Sequence, residues 1–168
     1  MTTKKESPAK KKTPKLAQAS LGLFSEMDND VFGSIHDEIM CWTDEHALEI
    51  IQKLWPEQKI TAIGRKQWEM PVTVIVKGDS RLVGFVDLAV SLSKYPNRVY
   101  FEIKTRIRPG SDIRQINAYN HYLSGLADDT EGKRGPFVVV SPDDRHAKLL
   151  AEQGIKFVKY PDFLDVKL

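Results

Sequence analysis

Apolar and polar positions along this chain repeat in two periods, and the switches between them mark out its elements. Ile35, Ile39 and Trp42 recur at helical intervals, and so do Ala47, Leu48, Ile51 and Leu54 before Pro56 stops the run. The first helix is expected to begin at Ser34, with Asp37 three residues on in a capping-box-like arrangement. Thr43-Asp44 is the expected break between two helices. The period then falls to two. A short strand is expected over 59–63, another over 67–76, a polar turn over 77–80 and a returning strand over 81–92, which makes a hairpin. The next strand is 99–105. Ile113, Ile116 and Leu123 restore helical spacing over 111–124, with Ser111 as N-cap. Residues 136–141 are a continuous apolar run of the kind buried inside a sheet. A helix over 143–153, closed by Gly154, and a strand over 155–160 complete the order. The order of elements predicts an α/β (α+β) fold, a sheet flanked by helices.

Two strands break their own apolar pattern with charge. Gly84-Phe85-Val86-Asp87 carries one aspartate, and Val99-Tyr100-Phe101-Glu102-Ile103-Lys104-Thr105 carries a glutamate and a lysine. Residues two apart on a strand share a face, so Glu102 and Lys104 point one way and Phe101 and Ile103 the other. An ionised group in so apolar a setting is costly unless it is paired or holds a metal. Two carboxylates and an ammonium on neighbouring strands suit a hard divalent cation beside a phosphate. In the helix that follows, Gln115 and Tyr119 are four apart and so lie one above the other. Taken singly, each of these residues reads as an ordinary ion pair or helix flank. Arg106, Arg108 and Arg114 lie next to the proposed site and suit phosphate contacts. Glu69 is a weaker candidate, and His121 and His146 have no matching partners.

In order and spacing, these pieces resemble the PD-(D/E)xK nuclease superfamily, and more narrowly its RecB-like exonuclease branch. The resemblance rests on G-x-x-D at Gly84 to Asp87, E-x-K at Glu102 to Lys104 and Q-x-x-x-Y at Gln115 to Tyr119, and it spans roughly residues 33 to 160. It implies a restriction-endonuclease-like core, a mixed central sheet flanked by helices, and hydrolysis of DNA phosphodiesters with Mg2+ (or Mn2+). Asp87, Glu102 and the backbone carbonyl of Ile103 would be metal ligands. Lys104 would orient the attacking water or stabilise charge on the phosphate. Gln115 would reach a phosphate or that water, with Tyr119 beside it. A further ligand is expected from the first helix, either His36, in a Gly-x-x-His one residue short of the branch's pattern, or Glu38. The two face different sides of a helix. The expected activity is an exonuclease acting on DNA ends. The alternatives are a structure-specific or restriction-type endonuclease and a non-catalytic DNA-binding scaffold with a relict fold. Expected partners are DNA and a helicase or other loading protein, with self-association left open.

Composition narrows the setting. A chain of 168 residues is expected to form one domain, over 20–168, behind a disordered tail over 1–19. No apolar run approaches the ~20 residues of a membrane span, and the tail has no apolar segment of the secretory type. A single cysteine, Cys41, leaves no intrachain disulfide and no cysteine-held cluster, so a cytoplasmic location is expected. Net charge is +2, but residues 1–16 hold six lysines against one glutamate, so the rest of the chain nets −3. DNA would therefore meet a local basic patch or the tail, not a globally basic surface.

Overall fold

The computed structural model describes residues 29–92, 98–125 and 135–164; the tail expected over 1–19 lies outside the described residues. A first helix, α1, runs over Asn29–Glu45, and α2 follows over Ala47–Leu54. Five strands come next in one sheet: β1 (Ile63–Val76), β2 (Asp79–Leu92), β3 (Arg98–Ile103), β4 (Phe137–Ser141) and β5 (Lys156–Lys159). Helix α3 (Ser111–Asn120) connects β3 to β4, and α4 (Ala147–Glu152) connects β4 to β5. The sheet order is β1-β2-β3-β4-β5. β1, β2 and β3 pair antiparallel, and β3, β4 and β5 pair parallel. The fold is thus α+β, a sheet flanked by helices as the order of elements predicts, and the sheet is mixed.

Each strand's composition follows its position. All five residues of β4 are buried, because β4 has strands on both sides and packed side chains on both faces. β1 is an edge strand, the position in a sheet that tolerates a proline such as Pro71. Lys77 and Gly78 join β1 to β2 with φ of 54° and 87°, the left-handed pair that a two-residue hairpin turn needs. One face of the sheet packs Phe101, Ile103, Val138 and Val140 against Ile39, Ile50 and Ile51 of α1 and α2. The other packs Tyr100, Phe137 and Val139 against Ile116, Tyr119 and Leu150 of α3 and α4. Phe101 and Ile103 therefore lie on the face opposite Tyr100, as strand alternation requires.

Several expected boundaries move. α1 begins at Asn29, not Ser34, and runs through Gly33 to Glu45; the break falls at His46, not Thr43-Asp44. The Thr43 hydroxyl donates back to the Ile39 carbonyl at 2.7 Å, a bond that lets a threonine sit inside a helix. The short strand expected over 59–63 is absent. A 3-10 turn at Pro56–Gln58 and a left-handed Lys59 occupy that stretch, and β1 starts at Ile63. Ser111 is the first helical residue of α3, and Gly110 holds the N-cap without a side-chain bond. The last helix is shorter than 143–153, since Asp143 bonds Ile107 and Arg145 instead of opening a helix. Gly154, at φ 75°, follows that helix as expected.

Candidate active site

The site forms where β2 leaves β3. Their ladder pairs Ser91 with Arg98 and ends at Leu88 with Phe101. One residue further, the Asp87 carboxylate accepts a hydrogen bond from the Ile103 amide at 2.6 Å, in place of a strand carbonyl. The hairpin also changes faces here. Val90 and Leu88 belong to the core under α1 and α2, while Val86, only two residues from Leu88, belongs to the core under α3. Across from Asp87 in the register stands Glu69, between the pairs Trp68–Leu88 and Met70–Val86, with φ of 48°. The change of faces falls opposite that left-handed residue. Glu69 is exposed and takes no part in the carboxylate cluster.

Glu102 is 2% exposed. Its Oε1 pairs with Lys104 Nζ at 2.8 Å, while its buried Oε2 has no hydrogen-bond partner among the described residues. Burial pushes its carboxyl up from 4.5 to about 7; the Lys104 charge opposes the rise and nearby Asp87 adds to it. Lys104 lies just past the end of β3, yet its amide still donates to the Val140 carbonyl at 3.0 Å, so the chain stays extended long enough for the two side chains to meet. Burial opposes the lysine's charge, but attraction to Glu102 and Asp87 outweighs it and raises the ammonium above its ordinary value. Nζ also donates to Gln115 Oε1 at 2.9 Å, and Gln115 Nε2 donates to the Tyr119 hydroxyl at 3.1 Å.

From α1, His36 brings Nε2 to 3.6 Å from Asp87 Oδ1. It stands one turn before Ile39 and Met40 and two before Thr43, on the helix's buried side. The Asp87 carboxylate facing the ring raises its pKa, against a smaller opposing effect of burial. Of the two α1 candidates, His36 is the one at the site. Glu38 is exposed and accepts the Tyr160 hydroxyl, away from Asp87.

The sequence-predicted residues thus divide. Asp87, Glu102, Lys104, Gln115, Tyr119 and His36 are brought together. Ile103 meets Asp87 through its amide, while its carbonyl, the expected metal contact, belongs to the next peptide unit. Gln115 was expected to reach a phosphate or water, but both ends of its amide bond Lys104 and Tyr119. Tyr119, 4% exposed, is packed in the core. Arg106, Arg108 and Arg114 are exposed on and after the segment leaving β3, without ion pairs to Asp87 or Glu102 among the described residues.

Asp143 escaped sequence reasoning. It accepts the Ile107 amide at 3.1 Å, while Arg145 grips it through both oxygens at 2.7 Å. That grip and the amide hold its carboxyl well below the usual carboxylate range. It ties the segment after Lys104 to the end of β4. Its one sequence signal was an acidic pair after the apolar run, which equally suits a helix start.

Among the described residues, no group of three or more His, Cys, Asp or Glu side chains stands in position to enclose a metal ion. The donor set nonetheless fits a hard cation in kind. Glu102 offers an unpartnered buried oxygen, and Asp87 is half-buried on the adjacent strand. Mg2+ takes one or two carboxylates and keeps its remaining ligands as water or phosphate oxygen, so a closed protein cage is not required.

No family model matches the chain, and no curated protein does. Among solved structures it is similar to the crystal structure of protein VC1899 from Vibrio cholerae, with a TM-score of 0.46 and 16% identity, over 70% of this chain and 29% of that one. The chain therefore spans under a third of that protein, and so distant a likeness does not bear on function. No helix among the described residues is long and apolar enough to cross a membrane.

Proposed function

We propose that this chain is a divalent-metal-dependent nuclease of the PD-(D/E)xK type, hydrolysing DNA phosphodiesters, with the RecB-like exonuclease mode as the leading form. The observation that carries the reading is Glu102. A carboxylate with an unpartnered buried oxygen, beside a paired lysine and a second carboxylate at a strand divergence, is costly as structure alone and suited to a cation. Such clusters of mutually perturbed ionisable groups concentrate at functional sites.

Asp87 and Glu102 would hold the ion, with His36 beside Asp87. When bound, Mg2+ or Mn2+ supplies Lewis-acid polarisation of the phosphoryl oxygen and lowers the pKa of a bound water. The chain's own groups do the rest. Lys104 places positive charge where phosphate charge grows. Gln115 and Tyr119 hold that ammonium in one position. Arg106, Arg108 and Arg114 are free to meet phosphates along the backbone.

The test is incubation of the purified full chain with Mg2+ or Mn2+ and either linear or closed circular DNA. Loss of linear DNA alone supports the exonuclease mode, and cutting of circles supports the endonuclease alternative. DNA left intact under both metals, with no metal-dependent shift in melting, removes the catalytic reading and leaves the DNA-binding scaffold.

A further inference from the structure

The geometry points to Gly84 as a positioning residue: by lacking a side chain it seats the Tyr119 hydroxyl, which orients the Gln115 amide, which holds Lys104 beside Glu102. Gly84 pairs with Val72 on the hairpin, three residues before Asp87. A Cβ built there would lie 2.0 Å from the Tyr119 hydroxyl oxygen, 3.0 Å from Cζ and 3.4 Å from Cε1. No side chain fits that space. The tyrosine cannot easily retreat, since it is 4% exposed and packed in the core with Val72, Val86 and Ile116.

The consequence passes through the amide. A glutamine has one end that accepts and one that donates, whereas a lysine ammonium only donates. Nε2 meets the Tyr119 hydroxyl at 3.1 Å, and Oε1 faces Lys104 Nζ at 2.9 Å. The ammonium, which only donates, selects Oε1, and the hydroxyl anchors the far end of the amide; displacing the hydroxyl removes that anchor. An amide without that anchor is free to swing away from the ammonium, and Lys104 would then keep the Glu102 contact at 2.8 Å without it. The glycine of the G-x-x-D strand and the tyrosine of the α3 helix are therefore two halves of one contact, made across the second core.

The contact chain stands independently of the nuclease reading, and only the predicted effect on turnover rests on it. Four proteins test it: wild type, Gly84→Ala, Tyr119→Phe and the double variant. In metal-free protein, Lys104 labelling by acetic anhydride should rise about fivefold in each single variant, the worth of one lost hydrogen bond. DNA turnover should fall on the order of 100-fold, with KM and the metal-dependent melting shift within about twofold of wild type. The double variant should cost much less than the two single effects combined, because the two residues share one contact. If Gly84→Ala alone fails to fold, recovery of folding in the Tyr119→Phe background supports the contact. Unchanged Lys104 labelling in Tyr119→Phe, or additive losses in the double variant, overturns the proposal. A wild-type protein without DNA cleavage removes the nuclease reading, and the labelling and melting results still decide this one.

Discussion

Glu102 and Asp87 do different work despite their shared charge. Asp87 accepts the Ile103 amide where the ladder ends, so its carboxylate helps set the divergence of two strands. Asp87→Asn keeps an oxygen for that amide and removes the charge. It should fold with nearly the wild-type melting temperature and lose roughly 1000-fold or more in DNA turnover, together with its metal-dependent melting shift. A variant that cuts DNA at the wild-type rate would exclude Asp87 from the metal site. Glu102 is defined by burial, which raises its carboxyl from 4.5 to about 7. Between those values the folded protein keeps a proton that the unfolded chain has released, so its contribution to stability falls as pH rises through that window. Glutamine does not titrate. In chelator, the melting temperature of Glu102→Gln minus that of wild type should therefore be more favourable at about pH 8 than at about pH 5. A pH-independent difference would mean that Glu102 is ionised throughout.

At the scale of elements, the site is a junction. α1 brings His36, the hairpin brings Asp87, β3 brings Glu102, and α3 braces Lys104 from the far side. The α1 contribution is decided by helix rotation. His36 shares the buried side with Ile39 and Met40, whereas Glu38 is exposed and bonded to Tyr160. His36→Ala should lower turnover or metal affinity on the order of 10- to 100-fold, as loss of a group orienting a ligand does. Glu38→Ala should leave both unchanged and change only stability, through the lost Tyr160 contact. Metal titration and steady-state rates on the two variants separate them, and the reverse order of effects would reassign the α1 residue. α3 was legible at this scale as a four-residue spacing. Its role was not: the spacing pairs Gln115 with Tyr119, but only packing against the hairpin turns that pair toward Lys104.

For the whole molecule, charge is segregated: +5 lies in residues 1–16 and −3 in the remainder. Removing residues 1–19 should weaken DNA binding most at low salt and make the salt dependence shallower, by up to about 0.9 in the log–log slope for each lysine engaged. Binding measured across a salt series checks this; an unchanged slope would mean that the tail makes no phosphate contact. The sequence by itself displayed the alternation of helices and strands, the buried β4 and the charges at Asp87, Glu102 and Lys104. Those follow from local periodicity and from the cost of charge in apolar strands, both of which a linear chain displays. Tertiary structure alone decided three other things. The strands part at Asp87 because a side chain replaces a ladder carbonyl. The hairpin changes faces opposite a left-handed Glu69, which no periodicity reports. Gly84 meets Tyr119 although they lie 35 positions apart in the chain, because two elements close on one core and leave room for a hydroxyl and no methyl group. Contacts between distant residues depend on how faces meet, and that information appears only once the core has packed.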